Sequence, residues 1–270
     1  MNFPLEDDFN DILQKAAQGL SLSTTELAAQ SGLTESRLKK LFSGKFDEAD
    51  LRTLTPLLGL RADALCLIAK NEWRPQEHTL DGLWQIPSHY GSMQVNAYFT
   101  KVPGTRKAIL FDTGTDASAV KELLTAASLT LSAIFLTHTH TDHVAALEEI
   151  RNSADQPAIY APSREPINGA YLLKHKNKIG FETLSVEARL TRGHSCGGMS
   201  YIIEGLGPMI VAIVGDAIFA GSMGRAFVSY QDALRSNKTE ILSLPPSTIL
   251  CPGHGPMTSV EEELKHNPFF

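Results

Sequence analysis

The chain has 270 residues, 43% hydrophobic and 20% charged, with a formal net charge of −6. That length allows two domains and a sizeable core in a soluble globular protein. The acidic balance gives no global attraction for nucleic acid or an anionic membrane, and the longest apolar run, Pro208 to Gly221, is too short to span a bilayer.

The N-terminus, Met1 to Asp8, lacks the basic and apolar regions of a secretion signal. Residues 1–70 read as helices. One is expected over Asp8–Gln18. Ser23-Thr-Thr-Glu26 is a capping box that opens a second helix through Gln30. Gly32 supplies a turn, and Thr34 caps a helix over Glu35–Phe42. Two more are expected over Glu48–Leu58 and Ala62–Lys70. Ala28, Gly32, Leu38 and Leu41 have the spacing of a helix-turn-helix, and the segment resembles a Cro/repressor-like DNA-binding domain. Ser36, Arg37, Lys39 and Lys40 would then face DNA. Against this, residues 1–70 hold 8 Lys/Arg and 10 Asp/Glu, a poor balance for phosphate contact. A packing or dimerisation module is the favoured alternative, with a homodimer as the expected assembly.

A linker is expected at Asn71–His78, where Pro75 stops the preceding helix. Beyond it, strand-like runs at Met93–Thr100, Ala108–Phe111 and Leu131–Leu136 are joined by a helix at Ala117–Ala127. A helix at Val144–Asn152 follows, then strands at Pro157–Ala161, Ser185–Thr191, Met199–Glu204, Met209–Val214 and Thr248–Cys251, with a helix at Tyr230–Leu242. Such alternation predicts an α/β sandwich with helices outside.

The chemistry concentrates in Thr137-His-Thr-His-Thr-Asp-His143. His138, His140, Asp142 and His143 offer four ligands within six residues. Alternation in an extended segment puts His138 and His140 on one face, and the following turn carries Asp142 and His143 to the other side. His194 in Arg-Gly-His-Ser, Asp216 in Val-Gly-Asp-Ala and His254 in Pro-Gly-His-Gly each follow an apolar run. Imidazole and carboxylate donors suit zinc, with iron or manganese as alternatives. A lone histidine is usually a surface or core residue, but five of the nine histidines fall into this one pattern.

In this order and spacing the seven residues resemble the metallo-β-lactamase superfamily of binuclear hydrolases, over about residues 78–270. Gly215-Asp-Ala-Ile-Phe-Ala-Gly-Ser-Met-Gly-Arg225 and Gly253-His-Gly-Pro-Met-Thr-Ser are similar to short glyoxalase II-like enzymes of the hydroxyacylglutathione hydrolase type. The resemblance implies an αββα sandwich in which His138, His140 and His194 hold one metal and Asp142, His143 and His254 the second. Asp216 would bridge both with a water. Two cations about 3.5–4 Å apart would make that water a hydroxide near neutral pH, able to attack a thioester or ester carbonyl. Asp142, His143 and Asp216 are therefore the catalytic candidates. The Asp-Thr-Gly at Asp112 would shape the loop beneath the metals.

Departures from the pattern fall on the substrate side. Arg192 stands where a proline is usual, and Ala226-Phe227 replaces Thr-Asp. The chain runs only 16 residues past His254, where long glyoxalase II enzymes continue into a helical domain. Arg192, Arg225, Tyr171 and Lys174 are the candidate substrate contacts. His78, His89, His175 and His266 match no ligand position, and His89 and Tyr90 are read as preceding the first core strand. Cys66, Cys196 and Cys251 have no paired spacing, which fits a reduced cytoplasm; Cys196 and Cys251, close to His194 and His254, are expected to be small buried thiols rather than redox or ligand groups. Rival readings are a mononuclear-iron persulfide dioxygenase, a lactonase, and a DNA-binding regulator with a metabolite-sensing metallohydrolase half.

Overall fold

The computed structural model describes residues 3–154 and 156–270. Five helices come first: α1 (Phe9–Gly19), α2 (Thr24–Ser31), α3 (Glu35–Phe42), α4 (Glu48–Leu54) and α5 (Ala62–Ala69). The capping box forms: Ser23 Oγ accepts the Glu26 N–H, and the Glu26 carboxylate accepts the Ser23 N–H at 2.8 Å. Thr34 Oγ1 accepts the Arg37 N–H at 3.3 Å and so starts α3. The helix expected through Leu58 stops at Leu54; Pro56 removes a donor, and Thr55–Leu58 tighten into a 3₁₀ turn.

The five helices bury Ile12, Leu13, Leu27, Leu38, Leu41 and Leu51, yet their core is shared. Ala220, Met223, Tyr230, Ala233 and Phe269 from the rest of the chain belong to the same apolar cluster. Trp73, in the expected linker, is buried in it and stacks on His266 at 5.2 Å. Arg61 N–H donates to the Pro268 carbonyl at 2.8 Å.

The remaining chain forms two six-stranded sheets. The first contains β1 (Leu83–Tyr90), β2 (Met93–Lys101), β3 (Lys107–Phe111), β4 (Thr130–Phe135), β5 (Ala158–Pro162) and β6 (Tyr171–Leu173), in that order. β1, β2 and β3 are antiparallel; β3 through β6 are parallel. The second contains β7 (Lys178–Phe181), β8 (Leu184–Leu190), β9 (Met199–Glu204), β10 (Val211–Gly215), β11 (Ile249–Pro252) and β12 (Thr258–Ser259). Only its β10–β11 pair is parallel.

Alternation explains the layering. Ile109, Phe111, Ala133 and Phe135 point between the sheets, where they meet Tyr201, Ile213 and Cys251. Their neighbours Leu110 and Ile134 face outward under α6 (Ser118–Ala126) and α8 (Leu147–Ser153), which follows the single turn α7 (Thr141–Val144). Ala212, Val214 and Leu250 face the opposite way, against Ile241, Leu242 and Val260. Those residues border α9 (Tyr230–Ser236) and α10 (Val260–His266). A strand buried on both faces reads as one continuous apolar run, which is why β3, β4 and β10 are visible in the sequence.

Three expectations need correction. His89 and Tyr90 end β1 and pair with Gln94 and Met93; they do not precede the first strand. The helix expected over Tyr230–Leu242 is α-helical only to Ser236 and continues as a π turn over Asn237–Ile241. Cys66 and Cys251 are buried thiols, but Cys196 is exposed, because its loop lies at the surface.

Candidate metal centre

The seven predicted ligands converge where strand ends from both sheets meet. His138 follows β4, His194 follows β8, Asp216 follows β10 and His254 follows β11. Their donor atoms form three overlapping groups: His138, His140 and His194; His138, His143 and Asp216; and Asp142, His143 and His254. Within each group every donor lies within 4.8 Å of the others. His140 Nδ1 is 3.1 Å from His138 Nε2 and 2.9 Å from His194 Nε2. His254 Nε2 is 3.4 Å from Asp142 Oδ2. Asp216 lies between the two sets, 3.2 Å from His143 Nε2, 3.4 Å from His194 Nε2 and 3.5 Å from His254 Nε2.

The opposite ring nitrogens decide which nitrogens face inward. His194 Nδ1 lies 2.8 Å from the Arg225 carbonyl and His254 Nδ1 2.7 Å from the Gln94 carbonyl. A carbonyl only accepts, so each Nδ1 carries its hydrogen and Nε2 is left as the nitrogen that would meet a metal. His143 Nδ1 does the same against Asp112 Oδ2 at 2.9 Å. His138 Nδ1 meets Thr137 Oγ1 at 3.0 Å, and that hydroxyl donates onward to Asp112 Oδ2 at 2.7 Å. Asp112 thus sits one layer behind the ligands, in the supporting place the sequence reading assigns to it.

Gly253 lets this close. A Cβ there would run into Asp216 Oδ1 and His143 Cε1. Glu165, which sequence reasoning missed, ties two ligand loops together: its carboxylate accepts Thr139 N–H at 2.9 Å and Gly197 N–H at 2.6 Å. Burial works against its charge, but these hydrogen bonds win and hold its pKa below the ordinary value. A lone glutamate in Ser-Arg-Glu-Pro carries no local signal of that role.

Charge in the cluster is unbalanced in a way that suits cations. Burial and the neighbouring imidazoles push His138 well below its usual pKa, and burial lowers His194. Burial also opposes a charged His143 and His254, but Asp216, helped by Asp112 at the first and Asp142 at the second, outweighs it and holds them up to about 10 and about 11. His143 Nε2 and Asp216 Oδ1 are buried with no hydrogen-bond partner. These two unpartnered atoms, 3.2 Å apart and the first of them grouped with Asp142, fit a divalent cation, whose binding would release the protons.

The substrate candidates scatter. Arg225 lies against the cluster through its carbonyl. Arg192 instead pairs with Asp232 at 2.9 Å. Tyr171 is exposed and packs on Tyr160 at 5.5 Å, while the Lys174 N–H donates to Asn177 Oδ1. Ser36, Arg37, Lys39 and Lys40 are all exposed on α3, but Arg37 is tied to Asp50, and Lys39 sits 3.5 Å from Glu35. A groove of about 660 Å³ between Phe3, Leu5, Trp84 and Met257 contains none of the seven ligands. No described helix is long and apolar enough to cross a membrane.

The chain is similar to proteins of one superfamily. Residues 90–254 match the model of the metallo-beta-lactamase superfamily. A probable metallo-hydrolase, YqgX of Bacillus subtilis, is 30% identical over 203 residues, covering 66% of this chain and 93% of its own. A hydroxyacylglutathione hydrolase of Hamiltonella defensa is 26% identical over 167 residues, covering 62% of this chain and 65% of its own. Among solved structures, the BLEG-1 B3 metallo-beta-lactamase superposes with a TM-score of 0.62 at 30% identity, covering 69% of this chain and 98% of that one.

Proposed function

Because the chain belongs to the metallo-beta-lactamase superfamily, we propose that it is a binuclear metal-dependent hydrolase of thioesters or esters, similar to glyoxalase II. The observation that carries this is the pair of three-donor sets, with Asp216 between them and the outer nitrogens of four of the five histidines already engaged. His138, His140 and His194 would hold one divalent ion, Asp142, His143 and His254 the other, and Asp216 both. Nitrogen and carboxylate donors favour zinc. Bound there, the ions supply Lewis acidity and a water of lowered pKa.

The chain's own residues do the positioning. Asp112 fixes His143 and, through Thr137, His138; Glu165 fixes the loops carrying His140 and His194. His140, Asp142 and His194 are only partly buried, so the cluster opens to substrate on their side. A thioester suits a site without a dedicated general acid, because a thiolate with pKa about 8.5 leaves readily.

The helical unit is proposed to be a packing module. Its core is shared with Tyr230 and Phe269, and two of the four candidate DNA-facing residues are already paired. A mobility shift that weakens with salt would overturn that assignment.

Elemental analysis of a sample assayed with S-lactoylglutathione and simple thioesters tests the main reading. Two metals per chain with thioester turnover is the expected result. One iron per chain, oxygen uptake and no hydrolysis would replace it with a dioxygenase.

A further inference from the structure

The loop after Met223 runs beside the open side of the cluster, and its backbone is held at several points. The Arg225 carbonyl accepts His194 Nδ1 at 2.8 Å, and the Phe227 N–H donates back to that carbonyl at 3.1 Å. Val228 and Ser229 N–H both donate to the Gly193 carbonyl, at 3.0 and 3.2 Å. Ser229 Oγ then caps α9 by accepting the Asp232 N–H. From this fixed backbone the Phe227 ring projects 65% exposed.

Leaving a phenyl ring that exposed forgoes the burial that normally stabilises it. Its surroundings show what could restore it. The ring centroid is 5.4 Å from His194 and 6.2 Å from His140, two of the partly buried ligands. Val228 beside it is 55% exposed, and the Arg225 guanidinium lies 5.9 Å from the ring. A group stacked on this ring would lie within reach of His140 and His194, beside which a scissile group would lie. The patch is one ring and one isopropyl group wide, the size of a substrate fragment.

We propose that Phe227 is the specificity-determining platform of this site, receiving an apolar acyl group, aryl or branched alkyl, stacked on its ring. This rests on the hydrolase reading above. A small or polar acyl group such as acetyl or lactoyl leaves the ring in water and gains nothing from it. A flat apolar group gains burial plus an aromatic contact.

The test compares benzoyl and acetyl thioesters of one common thiol, using the metal-loaded full chain and its Phe227→Ala and Phe227→Leu variants. The parent is expected to prefer benzoyl, and Phe227→Ala to lower the benzoyl-to-acetyl ratio of kcat/KM by about five- to tenfold. The loss should appear in KM, with Phe227→Leu intermediate. Calorimetric binding of benzoate and acetate gives a readout independent of turnover: Phe227→Ala should weaken benzoate selectively at unchanged metal content. An equal loss on both acyl groups, or benzoate binding that ignores Phe227, would overturn the proposal. If neither thioesters nor the matching esters are hydrolysed but benzoate binding still depends on Phe227, the hydrolase reading fails and Phe227 stands as a binding platform for aryl carboxylates.

Discussion

The Asp112 carboxylate and the His143 imidazole meet at 2.9 Å, both almost wholly buried, and the same carboxylate accepts the Thr137 N–H and hydroxyl at 2.7 Å each. One side chain at the end of β3 thus orients a loop that begins 25 residues later. Removing such a support costs a metal site about 10- to 100-fold in affinity. Asp112→Ala should therefore release metal at correspondingly lower chelator concentration. Unchanged affinity in a chelator competition would show that His143 keeps its orientation without Asp112.

Asp142→Ala and His143→Ala each remove a donor from the second set and leave His138, His140 and His194 in place. Each variant should carry about half the metal of the parent and lose turnover by about two orders of magnitude or more. Far-ultraviolet circular dichroism should stay unchanged. A parental rate in either variant would defeat the two-metal assignment.

Docking of the helical unit can be read at Gly19. A Cβ at that position would overlap the Tyr230 ring, so the last residue of α1 must be small for α9 to approach. Overpacking of this kind typically costs about 1–3 kcal/mol. Gly19→Ala should lower stability by that order, and adding Tyr230→Ala should recover part of the loss. Strict additivity in this double-mutant cycle would mean that the two residues do not touch.

Glu263 predicts a pH signature. Burial raises its carboxyl to about 8 even though Asn267 Nδ2, Thr258 Oγ1 and Gly221 N–H donate to it. In the unfolded chain the value returns to 4.5, so between these two values the folded state holds the proton more tightly. The group's contribution is then fully present below about 4.5, declines as pH rises, and is lost above about 8. Glu263→Gln cannot titrate, so its melting temperature should gain on the parent's by several degrees from pH 5 to pH 8. Any fixed offset from altered hydrogen bonding is the same at both ends. A gap that does not change with pH would place the Glu263 pKa near its ordinary value.

Much of the architecture is legible in the chain. The seven candidate ligands, the capped helices and the central strands are local patterns: donor spacing, Ser-x-x-Glu, and runs apolar on both faces. What escapes is governed by one-sided contact. β1 carries Pro87 and buries only part of its length, and as an edge strand it can afford both. α10 has three glutamates in its first turn and buries only Val260 and Glu263, so it has little apolar periodicity to detect.

By itself the sequence determined which side chains are available for metal chemistry and which strand ends carry them, because ligand type and apolar period are properties of neighbouring residues. Tertiary structure alone decided that Glu165 ties the loops of His140 and His194 together, that Phe227 stands beside those two histidines, and that Tyr230 and Phe269 complete the core of the N-terminal helices. Those roles depend on contacts between residues far apart in the chain, and only packing of both sheets and the helices selects which distant residues meet.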